Sequence, residues 1–281
     1  MSEYSLNDLK KISYKIRMNV IEQVYHAASG HPGGSLSSAD IFTVLYFSEM
    51  NVDPKNPKWE ERDRFVLSKG HCSPALYATL AEKGFFPKED LSTFRQADSY
   101  LEGHPNMTYV PGVDMSTGSL GQGISAAVGM ALAGKLDKKD YRVYALLGDG
   151  ELQEGQVWEA LMAAAHYKLD NMVAFLDYNR LQIDGKITEV MSPEPVADKF
   201  EAFGWKVINA FGHDHQQLKE ALAEAKKTKG KPTMIIAHTT KGKGVSFMED
   251  AAGWHGTAPN KEQRDQAIAE LNAVVLELEG K

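Results

Sequence analysis

Two residues of this 281-residue chain, Asp149 and Asn179, have the type and placement to do chemistry together. Asp149 stands in the tight turn Gly148-Asp149-Gly150, and Asn179 closes the run Asp177-Tyr178-Asn179. A carboxylate and an amide oxygen, joined by a backbone carbonyl, form an incomplete shell of hard oxygen donors. Magnesium accepts such a shell, with diphosphate oxygens and water filling the remaining octahedral positions. A lone Gly-Asp-Gly is also a common turn, in which glycine supplies positive φ and aspartate bonds its own backbone. This one is distinguished by its company: an Asn at the next strand end, an alanine-rich helix between, and a second Asp-Gly turn at Asp184-Gly185.

The elements that must position these residues follow from the apolar pattern. Arg142 to Leu147 is a short apolar run bounded by a glycine turn and reads as a buried strand. Val157, Trp158, Leu161, Ala164, Ala165 and Leu169 recur at helical spacing over Gln156 to Lys168, with Glu151 and Glu154 placed where carboxylates suit the helix dipole. Met172 to Leu176 is a second apolar run. The unit is therefore βαβ, whose crossover demands parallel strands, and parallel strands bring Asp149 and Asn179 to one sheet edge. The carboxyl edge is where open α/β sheets bind ligands.

The rest of the chain alternates helix and strand, without internal repeats or low-complexity tracts. Leu9, Ile12, Ile16 and Val20 mark an opening helix with Ser5 and Asp8 as a capping box. Ala39 to Met50 reads as a helix, Asn51 to Lys58 as a surface loop, and Phe65 to Ser68 as a strand delivering Gly70-His71. Ile124 to Gly134 is a helix of small residues. Lys206 to Ala210 and Thr233 to His238 are strands, separated by a helix from His215 to Lys227 that Asp214 can cap. The predicted fold class is α/β: a doubly wound, mostly parallel sheet of at least five strands with helices on both faces, in one domain over residues 1–281.

Four of the nine histidines, His31, His71, His104 and His255, each touch a glycine in a predicted loop, where a side chain can face a cleft. His26 and His166 fall within helical patterns, and His213 and His215 in a turn before a helix, which are structural positions; His238 at a strand end is open to either reading. Zinc is disfavoured because no pair has the short helical or knuckle spacing of zinc sites. A dinucleotide site is disfavoured because Gly118, Gly121 and Gly123 run GxxGxG rather than GxGxxG.

These residues carry a resemblance. The segment Gly148 to Gly185 resembles the thiamine diphosphate motif in its transketolase form, through Glu154-Gly155, Trp158-Glu159-Ala160 and Asn179 followed by Gln182-Ile183-Asp184-Gly185. The 2-oxo acid dehydrogenase α subunits share the Gly-Asp-Gly and differ beyond it. Further transketolase-like blocks occur in order: SGHPGG at Ser29 to Gly34, SKGHCSPALY at Ser68 to Tyr77, EGHP at Glu102 to Pro105, STGSLGQG at Ser116 to Gly123, and WHG at Trp254 to Gly256. Tyr178, and the serine-rich run Ser35 to Ser38, depart from the usual family pattern.

The resemblance implies thiamine diphosphate and a divalent cation, Mg2+ or else Ca2+ or Mn2+, held by Asp149, Asn179 and Leu181. It implies cofactor contacts from His71, Gly118, Ser119, Leu120, Gly148, Asp149, Gly150, Asn179 and His255. It gives His31 and His104 to the donor sugar's hydroxyls, and His31 and His255 to proton transfer at the C3 hydroxyl. Glu154 and Glu159 resemble an acid pair linking twinned active sites across an interface; a dipole-favoured helix start is the other reading. Single-chain family members are more than twice as long, so a separately encoded amino-terminal subunit is expected. That view is supported by the closing helix, with Asn260 and Gln263 as capping box and Ile268, Leu271, Val274, Val275 and Leu278 as its apolar face. A partner chain would then supply the pyrimidine-binding domain with its glutamate, in an α2β2 assembly. The expected activity is ketol transfer from a ketose to an aldose, with phosphorylated pentoses of the pentose phosphate pathway as the family default. The alternatives are one chain of another thiamine enzyme, of the 2-oxo acid dehydrogenase type, and a noncatalytic interaction protein.

Composition agrees with a soluble α/β protein: 43% hydrophobic and 25% charged residues. A net charge of -7 speaks against nucleic acid as partner. The single cysteine, Cys72, permits no internal disulfide and suggests a reducing compartment. The amino terminus lacks an apolar signal core and no run reaches the length of a membrane span, so a cytoplasmic location is expected.

Overall fold

The computed structural model describes residues 4–281. Residues 1–3, at the start of the expected 1–281 domain, lie outside the described residues.

The chain opens with α1 (Leu6–Ala27), entered through a capping box between Ser5 and Asp8, and continues into α2 (Pro32–Val44). Strand β1 (Arg64–Leu67) leads into α3 (Ser73–Lys83); a long loop then precedes α4 (Gln122–Leu136) and β2 (Val143–Gly148). Helix α5 (Gly155–His166) crosses to β3 (Met172–Tyr178), which ends in a small hairpin of β4 (Leu181–Gln182) and β5 (Gly185–Lys186). Then come α6 (Ile187–Val190), α7 (Val196–Ala202), β6 (Lys206–Phe211), α8 (His215–Lys227), β7 (Thr233–His238) and α9 (Lys261–Leu278). The five long strands are all parallel, in the order β1-β2-β3-β7-β6.

Strand alternation builds two separate cores. Tyr144, Leu146, Val173, Phe175, Ile235 and Ala237 pack on one face with apolar residues of α1, α2, α3, α8 and α9. Their neighbours Val143, Ala145, Leu147, Met172, Ala174, Leu176, Met234 and Ile236 pack on the other face with α4, α5 and α7. Both strand faces are apolar because both are covered, as parallel sheets require.

Helix α2 starts earlier than the expected Ala39, because Pro32 occupies the first turn, where its missing N–H costs nothing. It is buried along its whole length although it carries Ser35, Ser37, Ser38 and Thr43. Each of these hydroxyls donates to a carbonyl of the preceding turn, Ser38 to Gly34 at 2.7 Å and Thr43 to Ala39 at 2.8 Å among them. The sequence pattern missed this start since glycine and serine are weak helix formers. The helix also ends before the expected Met50, its last turn widening to a π turn over Leu45–Glu49.

Asp40 of α2 is the centre of a buried ionic knot. It takes both ends of the Arg17 guanidinium, at 2.6 and 3.1 Å, and a ring nitrogen of His213 at 2.7 Å. His213 in turn accepts from the Thr240 N–H at 2.8 Å, and Arg17 donates to the Lys243 carbonyl at 3.0 Å. The knot thereby ties α1, α2 and the loop after β7 together. Arg17 holds the Asp40 carboxyl well below the usual carboxylate range against the opposing effect of burial. Removing one member leaves an uncompensated buried charge, so Asp40→Ala is expected to cost about 3–5 kcal/mol of unfolding free energy. Urea denaturation checks this, and a loss below about 1 kcal/mol would contradict the assignment.

Candidate functional site

Asp149 and Asn179 leave the sheet side by side because β2 and β3 pair in parallel with Gly148 opposite Asp177. Asp149 is only 2% exposed. Its carboxylate accepts the Gly150 N–H at 2.8 Å and the Arg180 N–H, both from backbone. Burial first, and the charge of Asp177 second, push its pKa up to about 7. The Asn179 amide nitrogen donates to Asp177 at 3.2 Å, which fixes which end of the amide is oxygen. That oxygen accepts the Leu181 N–H at 3.1 Å and keeps a second lone pair. Between them Arg180 adopts a left-handed backbone, φ 65°, and turns the chain into the β4–β5 hairpin. The hairpin, of which the sequence pattern showed only the Asp184-Gly185 turn, presents the Leu181 carbonyl.

A carboxylate, an amide oxygen and a carbonyl are the donors a hard divalent cation prefers. Among the described residues no group of three His, Cys, Asp or Glu side chains is arranged to hold a metal. A metal here would depend on mixed oxygen donors, which suits magnesium, calcium or manganese.

These residues line a cavity of about 470 Å³ that also takes in His31, His71, His104 and His255, together with Gly118, Leu120, Gly148, Gly150 and Glu154. The four glycine-flanked histidines thus share one cavity. His31 ends the loop ahead of α2 as its N-cap residue, and His71 lies in a short 3-10 turn, Gly70–Cys72. The rings of His31, His71 and His255 form a triangle with centroid separations of 5.1, 5.4 and 5.2 Å. Three imidazoles so close cannot readily all be charged. Burial, followed by neighbouring cations, lowers His31 to about 4 and His255 to about 3, and holds His71 well below the ordinary value. His104 is lowered as well, by burial and then by Arg95. The rings are neutral near pH 7. Ser119 is exposed on the same loop as Gly118 and Leu120, and Glu159 is exposed on α5.

Several residues that shape the site escaped the sequence reading. Lys69, 2% exposed, donates to Asp177 at 2.5 Å, to Ser38 at 2.7 Å and to the Gly34 carbonyl at 3.0 Å. Ser37 adds a bond to Asp177 at 2.6 Å, and Thr239 donates to it too. Two serines of the run that departs from the family pattern, Ser37 and Ser38, are thus partners of a buried carboxylate. A lysine closing an apolar strand, and an aspartate closing another, were the signals available. Tyr178 packs edge-on against His238, 5.4 Å between centroids, beneath the strand end. His238 also bonds Asn209 at 2.9 Å and does not line the cavity.

Glu151 precedes the first turn of α5, as its dipole-favoured placement implies, and is buried in a 3-10 turn ahead of Gly155, the first residue of that helix. Its carboxylate accepts from Ser68 at 2.6 Å, from the Gly121 N–H at 2.9 Å and from the Gly148 N–H at 3.2 Å. It therefore clasps three loops around the cavity. Glycines allow this closeness: a Cβ on Gly70 would meet the Gly118 nitrogen at 2.7 Å, and one on Gly123 would meet the Ser68 Cα at 2.6 Å.

Comparison with known proteins agrees with this geometry. Residues 9–272 match the family model described as transketolase, thiamine diphosphate binding domain. The chain is 48% identical over 267 residues to the first of the subunits of the apulose-4-phosphate transketolase of Phocaeicola vulgatus, covering 95% of each. It is 48% identical over 271 residues to the SqwG chain of a Clostridium species, named as one of the subunits of a 6-deoxy-6-sulfo-D-fructose transketolase, covering 96% of this chain and 98% of that one. Human transketolase is 44% identical over 273 residues, but the match covers only 43% of it. The crystal structure of Campylobacter jejuni transketolase superposes with a TM-score of 0.89 at 38% identity, over 94% of this chain and 42% of that one. The chain thus spans less than half the length of these single-chain transketolases and nearly all of the two subunits. With the family model matched over residues 9–272, and with two relatives 48% identical over nearly their whole length, the chain belongs to the transketolase family as its amino-terminal, thiamine diphosphate-binding domain.

Proposed function

We propose that this chain is the metal- and diphosphate-binding subunit of a two-chain transketolase, which moves a two-carbon ketol unit from a ketose to an aldose. One observation carries the reading: the β2–β3 pair and the hairpin that follows it set Asp149, the Asn179 amide and the Leu181 carbonyl along the wall of the cavity that holds four neutral histidines. Three hard oxygens leave positions for diphosphate and water around a cation. We assign Mg2+, with Ca2+ and Mn2+ satisfied by the same donors.

When bound, thiamine diphosphate supplies the electron sink that cleavage of a ketose between C2 and C3 needs. The chain's own residues do the rest. His71 and His255 are assigned to the diphosphate end, as neutral rings with one N–H each. The Lys241 ammonium occupies Nδ1 of His255 at 2.9 Å, which leaves that ring's proton on Nε2. Gly148 and Gly150 bring backbone close, while Gly118, Ser119 and Leu120 wall the other side. His31 and His104 are assigned to the sugar hydroxyls. With its pKa near 4, His31 is a free base at neutral pH and can take the C3 hydroxyl proton on a ring nitrogen, helped by His255, and return it to the acceptor product.

A second chain would supply the pyrimidine-binding part, and Glu154 at the cavity rim with exposed Glu159 is assigned to the contact between twinned sites in an α2β2 assembly. The naming of both 48% relatives as subunits supports that division. Those relatives are named for different ketoses, so a phosphorylated pentose is one member of the ketose class assigned here rather than the default. No described helix is long and apolar enough to cross a membrane, and a single buried cysteine supports a cytoplasmic location.

Asp149→Ala should abolish Mg2+-dependent retention of thiamine diphosphate in the assembled complex, measured by equilibrium dialysis; retention equal to the parent protein would remove the metal assignment. His31→Gln should lower kcat by about 10²–10⁴ while cofactor affinity stays within about twofold. An unchanged kcat would take His31 out of proton transfer.

A further inference from the structure

Lys241 sits at the same place as the proposed cation. It follows β7 in a loop pinned to α2, since the Gly242 N–H donates to the Gly33 carbonyl at 3.0 Å. Its side chain is 2% exposed. The ammonium donates to the Leu181 carbonyl at 3.2 Å and to Nδ1 of His255 at 2.9 Å. The first acceptor is an assigned metal oxygen; the second belongs to an assigned diphosphate ligand. Lys69, the other buried lysine of the cavity, is committed elsewhere, with bonds to Asp177, Ser38 and Gly34. Asp149 has only backbone donors on its oxygens, and the charges of Asp149 and Lys241 act on one another across the cavity.

We propose that Lys241 is a tethered counter-cation, which stands in for the divalent ion beside Asp149 and the Leu181 carbonyl in the cofactor-free protein and must release that carbonyl when the metal enters. The inference rests on the metal reading above. A metal and an ammonium on one carbonyl oxygen would lie within roughly 5 Å of each other, given metal–oxygen distances of about 2.0–2.6 Å. Both are positive and the Lys241 side chain is buried, so their repulsion is less screened than between exposed charges. Metal arriving alone has to displace the ammonium without offering it a new anion. Metal arriving with a diphosphate brings anionic oxygens to the side of the cavity where His255 already holds the lysine. Lys241 thereby couples the two ligands, disfavouring a bare metal ion and favouring the pair.

The test is Mn2+ binding to the full chain without cofactor, read by electron paramagnetic resonance of the free ion, in the parent protein, Lys241→Met and Lys241→Gln. Folding of each variant is checked by circular dichroism. Both variants are expected to bind Mn2+ at least tenfold tighter than the parent, and adding Asp149→Ala should erase the gain. Folded variants that bind no tighter overturn the proposal; if binding of Mn2+ with thiamine diphosphate still requires Asp149, the metal reading survives that failure. A gain that persists without Asp149 overturns both. Should neither variant fold, a crystal of the parent protein loaded with Mn2+ and thiamine diphosphate decides. The Lys241 ammonium is expected to have left Leu181, and an ammonium still bonded to that carbonyl beside the metal overturns the proposal.

Discussion

Parallel pairing of β2 with β3 sets Gly148 opposite Asp177, and the rest of the site hangs from that register. Each strand alternates its side chains between two covered faces, so a slip of one residue would exchange the two cores along the whole strand. The apolar packing of α1, α2 and α3 on one side, and of α4 and α5 on the other, therefore fixes where Asp149 and Asn179 emerge. A precise arrangement of oxygens is obtained from rigid strand ends, and the short hairpin after β3 adds the third.

Charge organises what the register places. Buried carboxylates are costly unless compensated, and the chain compensates them in different ways. Asp40 has Arg17 and His213; Asp177 has Lys69 and a set of hydroxyls; Glu151 has Ser68 and two backbone N–H groups. Asp149 has backbone donors alone, and its pKa is raised while that of Asp177 is lowered, although the two lie at adjacent strand ends. The difference lies in the partners: an ammonium touches Asp177 and none bonds Asp149. The carboxylate with no directly bonded cation is the one whose neighbours are an amide oxygen and a carbonyl. The histidines follow the same logic, since burial and then neighbouring cations keep them neutral and so able to accept or donate a proton.

The sequence made the strand–helix–strand unit around Asp149 and Asn179 readable because apolar runs, glycine turns and helical spacing all agreed there. Caps were equally plain: Ser5 with Asp8, Asp214, and Asn260 with Gln263 all bond as their residue types suggest. The start of α2 was not legible, because its hydroxyls satisfy themselves on its own backbone and its glycines, weak helix formers, are there to let Trp254 and Cys72 approach. Lys69, Glu151 and Lys241 were hidden for a related reason. Nothing local marks a charged residue as buried; that status arises when loops separated by scores of residues close over it. Side chains that line the cavity could be found by motif, whereas the residues that hold them in place depended on the assembled fold.

The central claim is that Asp149, the Asn179 amide and the Leu181 carbonyl clamp one divalent cation that anchors a diphosphate. A crystal of the assembled two-chain complex grown with Mn2+ and thiamine diphosphate tests it most directly, through the anomalous signal of the metal. One peak bonded to those three oxygens, at about 2.0–2.4 Å, is the predicted result. A peak elsewhere, or a bound cofactor whose metal does not touch Asp149, would contradict it.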